Sequence, residues 1–151
     1  MKILVINGPN LNVIGKREPS IYGTVTYAAL CSRIKKSAEE ADAYVEIFQS
    51  NSEGEIVSKI QEAKGVFDGL VVNGGALTHY SYALYDAVKY ADLPAVEVHI
   101  SNIFKREEFR KHSVLSPICV GIVSGLGIEG YEYAINYLVR IYKKSRKETL
   151  L

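Results

Sequence analysis

The sequence has few of the features that define several large classes of protein. Its 151 residues include no tryptophan, one methionine and two cysteines, and 18 basic residues face 17 acidic ones. A net charge of +1 offers no basic surface for a nucleic-acid backbone or an anionic membrane. Cys31 and Cys119 lie in apolar segments without CxxC spacing. We therefore expect buried, reduced thiols, with neither a disulfide nor a zinc site.

Long apolar segments are also missing. No run approaches the roughly 20 residues of a membrane span, and the apolar part of the N-terminus is too short for a signal peptide. Hydrophobic residues make up 48% of the chain and charged residues 23%, which are globular proportions. These features predict a soluble, cytoplasmic protein that folds as a single domain over residues 1–151.

Short β-branched runs alternate with amphipathic segments of helical length. The strand candidates are residues 3–6, 44–48, 70–72, 95–100 and 118–123. Helical patterns begin at Tyr27 and Ser52, run from Ser81 to Ala91, and follow Gly127. Ser52 and Glu55 form a capping box in which each side chain would satisfy the other's amide. Right-handed βαβ crossovers then predict an α/β fold, a flavodoxin-like three-layer sandwich with a five-stranded parallel sheet.

In such a fold, ligands bind beyond the carboxyl ends of the strands, so the loops there are the candidate site. The loop after the first strand, about residues 15–24, exceeds the usual length of about 2 to 6 residues and carries Arg17 and Tyr22. It predicts a lid, with an ordinary surface loop as the alternative. The loop after the third strand offers Asn73 and His79 beside two glycines.

The fourth strand carries a candidate acid–base pair. Glu97, His99 and Ser101 alternate along the chain and therefore share one face of the strand. A carboxylate two residues from an imidazole can orient the ring and favour its protonated form, which suits a general acid. A histidine that only satisfies the edge of the sheet is the alternative interpretation.

Two arginines follow this strand. Arg106 and Arg110 are four residues apart, so on a helical turn both guanidinium groups would face one anion or polyol. The commoner meaning of such a charged run is a solvated face, here with Glu107 and Lys111 as an exposed pair. The basic tail, about residues 143–151, is interpreted as the solvated end of a helix.

Cofactor motifs are incomplete or missing. Residues 125–130 fit GxGxxG, but no strand with an acidic residue follows the helix that they open. We interpret them as a tight strand-to-helix turn, not as a dinucleotide site. The sequence has no P-loop, and its three histidines lack zinc spacing. The remaining groups suit proton transfers on a small polar anion without a cofactor.

These segments together resemble the type II 3-dehydroquinate dehydratases. The resemblance extends from Lys2 to about Leu138 and rests on ordered stretches at residues 6–11, 17–19 with 22–23, 49–53, 73–79, 97–102, 106–110, 116–117 and 125–127. It implies an anti elimination of water from 3-dehydroquinate through an enolate, giving 3-dehydroshikimate. It also implies that no metal, organic cofactor or lysine Schiff base takes part, and that the chain self-associates as a homododecamer of four trimers.

The resemblance implies catalytic roles for five residues. Tyr22 would remove the C2 proton and needs a nearby cation such as Arg17, because a free tyrosine has a pKa of about 10. His99 would protonate the departing hydroxyl, oriented by Glu97. Asn10 would stabilise the enolate oxygen through a bound water.

It also implies a substrate-binding set, comprising Asn73, His79, Asp86, Ile100, Ser101, Arg106 and Arg110. The substrate carboxylate would be bound by Ser101 and the backbone amide of Ile100, and also by Asn102, which is outside this set. Arg106 would assist the Tyr22 phenolate. Asp86 would reach the site of a neighbouring subunit. The family commonly has an arginine just before that aspartate where this chain has Tyr85, which leaves the detailed subunit contact open.

Two other hypotheses compete with a dehydratase. A non-catalytic flavodoxin-like module that binds a nucleotide or flavin would need a Ser/Thr-rich loop after the first strand, where this chain has Pro9 and Asn10. It would also leave the pairing of Glu97 and His99 unexplained. An oligomeric scaffold would account for 11 tyrosines at interfaces, but not for the placement of the arginines and asparagines.

Overall fold

The computed structural model describes residues 1–16, 20 and 24–149, which form a parallel sheet between two layers of helices. The strands are β1 (Lys2–Asn7), β2 (Tyr44–Gln49), β3 (Gly69–Asn73), β4 (Ala95–His99) and β5 (Gly121–Ser124). The helices are α1 (Tyr27–Glu40), α2 (Glu53–Glu62), α3 (Tyr82–Ala91) and α4 (Glu129–Thr149). All four strand pairings are parallel, which confirms the predicted α/β fold with a five-stranded parallel sheet.

The strand order is β2-β1-β3-β4-β5, the doubly wound order of flavodoxin-like folds. The chain leaves β1 toward β2 and then returns to the other side of β1 for the remaining strands. The connections therefore diverge between β1 and β3, and a crevice forms beyond the carboxyl ends of these two strands.

Both faces of the sheet are buried. Ile3 and Val5 of β1 pack in a core with α1 and α4, whereas the alternating Leu4 and Ile6 pack in a second core with α2 and α3. The near-continuous apolar run of this strand follows from the two helical layers, because side chains on both faces are removed from water.

Serine side chains set the beginnings of two helices. Ser52 accepts a hydrogen bond from the Glu55 amide at 3.4 Å, as predicted, but the reciprocal half of the capping box is wrong. The Glu55 carboxylate accepts instead from the Ser50 hydroxyl, and Ser50 Oγ accepts from the Ser52 amide at 2.8 Å. Ser50, directly after β2, therefore binds the Glu55 carboxylate and the Ser52 backbone amide, the two groups that a complete capping box would join. Ser81 caps α3 through the Leu84 amide at 2.9 Å.

The predicted strand at residues 118–123 begins too early. Residues Ser116–Ile118 form a 3-10 turn that contains Pro117, so β5 begins only at Gly121. The proline has no amide to donate to a neighbouring strand, which favours the turn. Cys119, just after this turn, is partly exposed, as is Cys31, so neither thiol is buried as predicted. Burial is still enough to raise the pKa of the Cys119 thiol to about 12.

The GxGxxG segment is the tight turn that the sequence predicts. Gly125 and Gly127 have φ values of +84° and +63°, a conformation that favours glycine. A Cβ on Gly130 would lie 3.3 Å from side-chain atoms of Val98 and Val123, so glycine lets α4 lie close to the sheet. Within the described ranges, no helix combines the length and the apolar content needed to cross a membrane.

Candidate active site

A partly enclosed cleft lies beyond the carboxyl ends of β1, β3 and β4. Eight of the residues predicted for the site line it: Asn10, Asn73, His79, His99, Ile100, Ser101, Arg106 and Arg110. Leu11, Ile14 and Ile103 add an apolar wall that the sequence analysis did not anticipate. Most of the predicted site therefore converges at one place, because the carboxyl ends of parallel strands meet at the same edge of the sheet.

Two of the predicted residues that the structure describes do not line the cleft. Glu97 is fully buried behind His99, and Asp86 is exposed on α3, away from the lining of the cleft. Arg17 and Tyr22 lie outside the described residues.

Glu97 and His99 form the predicted carboxylate–imidazole pair. His99 Nε2 lies 2.6 Å from Glu97 Oε1, and the His99 side chain is only 6% exposed. Burial raises the pKa of Glu97, but hydrogen bonds from His99 and Ser116, the charge of His99 and a hydrogen bond from Ser113 outweigh it and hold this pKa below its ordinary value. Glu97 is therefore a carboxylate at neutral pH, placed to orient the ring and stabilise its charged form.

His79 faces the same space as His99. Their ring centroids are 6.1 Å apart, with 17° between the ring planes. His79 Nδ1 lies 2.7 Å from the backbone carbonyl oxygen of His112, which can only accept, so this nitrogen carries the proton. Burial lowers the pKa of His79, and the charges of His99 and Arg110 lower it further. The neutral ring then has Nε2 as a hydrogen-bond acceptor.

The two arginines line the cleft, but not as turns of one helix. Residues Ile103–Lys105 and Glu108–Arg110 form separate 3-10 turns, and Arg106 is extended between them. The prediction of a shared helical face is therefore wrong. The two side chains are brought together by Glu107, whose Oε2 lies 3.5 Å from Arg106 Nε and 2.9 Å from Arg110 Nε.

The two arginines do not lie on a solvated charged face, which was the alternative interpretation of this run. Their side chains are only 9% and 18% exposed, and Arg106 Nη1 donates to Ser101 Oγ at 3.4 Å. Lys111 contacts Glu108 at 2.5 Å, so the Glu107–Lys111 pair is also wrong. Two weakly exposed guanidinium groups beside a serine hydroxyl suit a small oxyanion or a polyol.

Asn10 lies at the mouth of the cleft in an unusual backbone conformation. Its φ is 68°, in the left-handed region that asparagine tolerates better than most residues. The backbone amide of Asn10 donates to Asn51 Oδ1 at 2.9 Å, which holds this turn against the end of β2. The Asn10 side chain is therefore held beside the cleft by its backbone.

A buried polar network behind the cleft was not predicted. Asn73 Nδ2 donates to the Tyr131 hydroxyl at 2.8 Å, and this hydroxyl donates to Asn7 Oδ1 at 2.6 Å. Tyr131 is 1% exposed, and burial raises its pKa, so the hydroxyl remains a donor. The network fixes the Asn73 side chain. In the sequence, Tyr131 belongs to the apolar stripe of the last helix, and nothing there indicates a polar contact.

Removing the Tyr131 hydroxyl should cost stability. In Tyr131→Phe, Asn73 Nδ2 and Asn7 Oδ1 each lose a buried partner, so the free energy of unfolding should fall by about 1 to 3 kcal/mol. Urea titration measures this as a lower midpoint with an unchanged slope. Tyr133→Phe is the control, because Tyr133 is 57% exposed on the same helix. Equal midpoints for the two variants would show that the network adds nothing to stability.

The described residues include no group of three or more histidine, cysteine, aspartate or glutamate side chains that could hold a metal ion. The cleft instead combines an imidazole with a buried carboxylate, two guanidinium groups, an asparagine amide and an uncharged histidine. The fold and the cleft together define an α/β protein built for acid–base chemistry on a small, polar, anionic molecule.

Comparison with known proteins identifies the family. A family model described as dehydroquinase class II matches residues 1–139. A 3-dehydroquinate dehydratase of Bacillus pumilus is 55% identical over 136 residues, covering 90% of this chain and 92% of that protein. One from Lachnospira eligens is 56% identical over 146 residues, covering 95% and 99%. The chain therefore belongs to the dehydroquinase class II family.

Solved structures agree with this assignment. The crystal structure of a type II dehydroquinase from Butyrivibrio crossotus is 51% identical, with a TM-score of 0.89 over 91% of this chain and 97% of that chain. The enzyme from Propionibacterium acnes is 44% identical, also with a TM-score of 0.89, over 92% and 96%. Similarity across nearly the whole chain extends to the fold as well as the sequence.

Proposed function

We propose that this chain removes water from 3-dehydroquinate by an anti elimination through an enolate, giving 3-dehydroshikimate. Membership of the family makes it a 3-dehydroquinate dehydratase, a hydro-lyase of the shikimate pathway or of quinate breakdown. The observation that carries the mechanism is the 2.6 Å contact between buried Glu97 and His99 at the wall of the cleft. It supplies a general acid where a leaving hydroxyl must be protonated.

His99 is the general acid of this proposal. Its Nε2 is hydrogen-bonded to Glu97, so Nδ1 is the nitrogen that donates a proton to the departing hydroxyl. The carbon–oxygen bond breaks as the enolate collapses, and the oxygen leaves as water. The Glu97 carboxylate stabilises the imidazolium before this transfer and fixes the orientation of the ring.

Tyr22 is the proposed base, a role that rests on the resemblance because this residue lies outside the described ranges. Its phenolate would take a proton from C2 of the substrate and leave the enolate. Arg17 would favour the phenolate by its charge, with help from Arg106, which lines the cleft. Asn10, beside the cleft, would hold the water that stabilises the enolate oxygen.

The remaining cleft residues are assigned to binding. Asn73, His79 and Arg110 would hold the ring hydroxyls, and the neutral His79 would accept a hydrogen bond through Nε2. Ser101 and the backbone amide of Ile100 would bind the substrate carboxylate, beside the Arg106 guanidinium that contacts Ser101. The chemistry needs no cofactor, because an acid, a base and a carbonyl-stabilised enolate suffice for the elimination.

The protein is further proposed to act in the cytoplasm as one domain per chain, assembled as a homododecamer of four trimers. Asp86 would complete the cleft of a neighbouring subunit, and its exposure on α3 supports this role. Tyr82 and Tyr90 of the same helix are 72% and 56% exposed, which is typical of residues that an interface covers. Light scattering should give the mass of twelve chains; a mass of one chain in a fully active sample would contradict the assembly.

An ultraviolet assay with 3-dehydroquinate tests the activity. The conjugated enone of the product should absorb increasingly with time, at a rate unchanged by a chelator or by prior treatment of the enzyme with borohydride in the presence of substrate. Loss of rate with chelator would indicate a metal, and loss after borohydride a Schiff base. A yellow protein that does not turn over substrate would favour the flavin-binding alternative.

A further inference from the structure

We propose that Ser113 and Ser116 are positioning residues for the elimination, because they hold the Glu97 carboxylate in the orientation that presents His99 to the substrate. The proposal rests on the role of the Glu97–His99 pair given above. Neither serine lines the cleft, and both lie on the segment between the last 3-10 turn of the arginine region and β5. They would therefore act through Glu97, without touching the substrate.

The two oxygens of Glu97 have separate partners. Oε1 accepts from His99 Nε2 at 2.6 Å, whereas Oε2 accepts from Ser116 Oγ at 2.7 Å and from Ser113 Oγ at 3.0 Å. With Oε2 engaged by two hydroxyls, the carboxylate plane is fixed and Oε1 is directed at the imidazole. The geometry that orients His99 therefore begins with the two serines.

The Ser113 hydroxyl has no freedom to turn away. Its oxygen accepts from the backbone amides of Leu115 at 3.1 Å and Ser116 at 3.0 Å. A hydroxyl has two lone pairs and one proton, so with both lone pairs engaged the proton is left for Glu97 Oε2. The turn thus prepares a donor that is already aimed at the carboxylate.

The same segment also holds the second histidine of the cleft. The His112 carbonyl accepts from His79 Nδ1, and the Val114 amide donates to the Thr78 carbonyl at 2.9 Å. Residues 112–116 are therefore bonded directly to His79 and, through Glu97, to His99. One short segment sets the positions of two imidazoles whose centroids are 6.1 Å apart.

Hydrogen bonding also keeps Glu97 charged in its buried position. Burial raises its pKa, and the donors from His99, Ser116 and Ser113 counteract that effect. Among the described residues, the other titratable groups that interact with Glu97 are His79 and the Cys119 thiol, and burial raises the pKa of this thiol to about 12. Removing the serine hydroxyls should therefore raise the pKa of Glu97, so that Glu97 becomes protonated at a higher pH than in the unmodified protein.

The test is a set of serine variants assayed with 3-dehydroquinate across pH. Ser116→Ala should lower kcat about 10-fold, and Ser113→Ala with Ser116→Ala together about 100-fold, with KM within about twofold. The acidic limb of the kcat profile should move to higher pH. Ser116→Thr, which keeps the hydroxyl, should recover most of the rate. Circular dichroism and thermal unfolding on the same samples establish that each variant is folded.

Ser37→Ala is the matched control. Ser37 is 4% exposed on α1, and its hydroxyl has no hydrogen-bond partner among the described residues, so this variant loses a buried hydroxyl away from the cleft. Its kcat and pH profile should equal those of the unmodified protein. An unchanged kcat and acidic limb in folded Ser116→Ala and in the folded double variant would overturn the proposal.

Glu97→Gln separates this proposal from the assigned role of the pair. If Glu97→Gln lowers kcat while the serine variants do not, only the positioning role is overturned. If Glu97→Gln itself retains full kcat, the proposed role of the Glu97–His99 pair is wrong and the positioning role falls with it. A fall in kcat in Glu97→Gln and in the serine variants, with the acidic limb shifted only in the serine variants, supports the hydrogen-bond chain from the serines through Glu97 to His99.

Discussion

Replacing His99 by alanine is expected to lower kcat for 3-dehydroquinate by about 10²- to 10⁴-fold, the usual contribution of a general acid. KM should change only a few-fold, because Asn73, His79 and the two arginines of the cleft remain. The variant also leaves Glu97 buried without its partner, so its fold should be checked by circular dichroism before the kinetics are interpreted.

The measurement is steady-state kinetics over a range of substrate concentrations. His112→Ala is the matched control, since it removes an exposed imidazole and keeps the backbone carbonyl that binds His79. A variant in which KM rises and kcat is unchanged would make His99 a binding residue rather than the acid.

Tyr22→Phe is expected to nearly abolish turnover while the protein remains folded. The substitution removes the proposed proton acceptor and only the volume of one oxygen atom. General bases also contribute about 10²- to 10⁴-fold, so the loss should be of the same order as that of His99→Ala. Tyr133→Phe, on the exposed surface of α4, should be fully active. A Tyr22→Phe enzyme of normal rate would refute the assignment of the base.

Deuterium exchange distinguishes the two variants. In heavy water, an enzyme that still forms the enolate but cannot release the hydroxyl returns deuterium to C2 of the substrate. His99→Ala should therefore exchange this position, as followed by nuclear magnetic resonance, and Tyr22→Phe should not. The reverse pattern would exchange the roles of acid and base between the two residues.

Most parts of the fold can be predicted from local patterns. The apolar run of residues 3–6 indicates a strand covered on both faces, and the spacing of Leu30, Ile34 and Ala38 indicates a helix that packs on it. Right-handed crossovers then leave few ways to order the strands. The errors lie at ends and turns: Ile118 belongs to a 3-10 turn because of Pro117, and Glu55 bonds Ser50 instead of closing its capping box.

The location of the cleft follows from the same logic. Residues directly after parallel strands meet at one edge of the sheet, so the order of the elements is enough to place Asn73 and His99 together. The contact between Glu97 and His99 follows from alternation along a single strand, because residues two positions apart share a face. The sequence places Arg106 and Arg110 correctly at the cleft but for the wrong reason, because Glu107, not a helix, joins them.

Sequence patterns alone are therefore sufficient for the parallel sheet, the edge where the cleft lies and the contact between Glu97 and His99, since each depends on periodicity within one element or on the order of elements. How these side chains are held depends on tertiary packing. The hydrogen bond from Tyr131 to Asn7 joins residues 124 positions apart in the sequence, and the one from Ser116 to Glu97 joins residues 19 positions apart. Such contacts arise where separate elements meet, and a buried hydroxyl in an apolar stripe or a turn has no local pattern that predicts its partner.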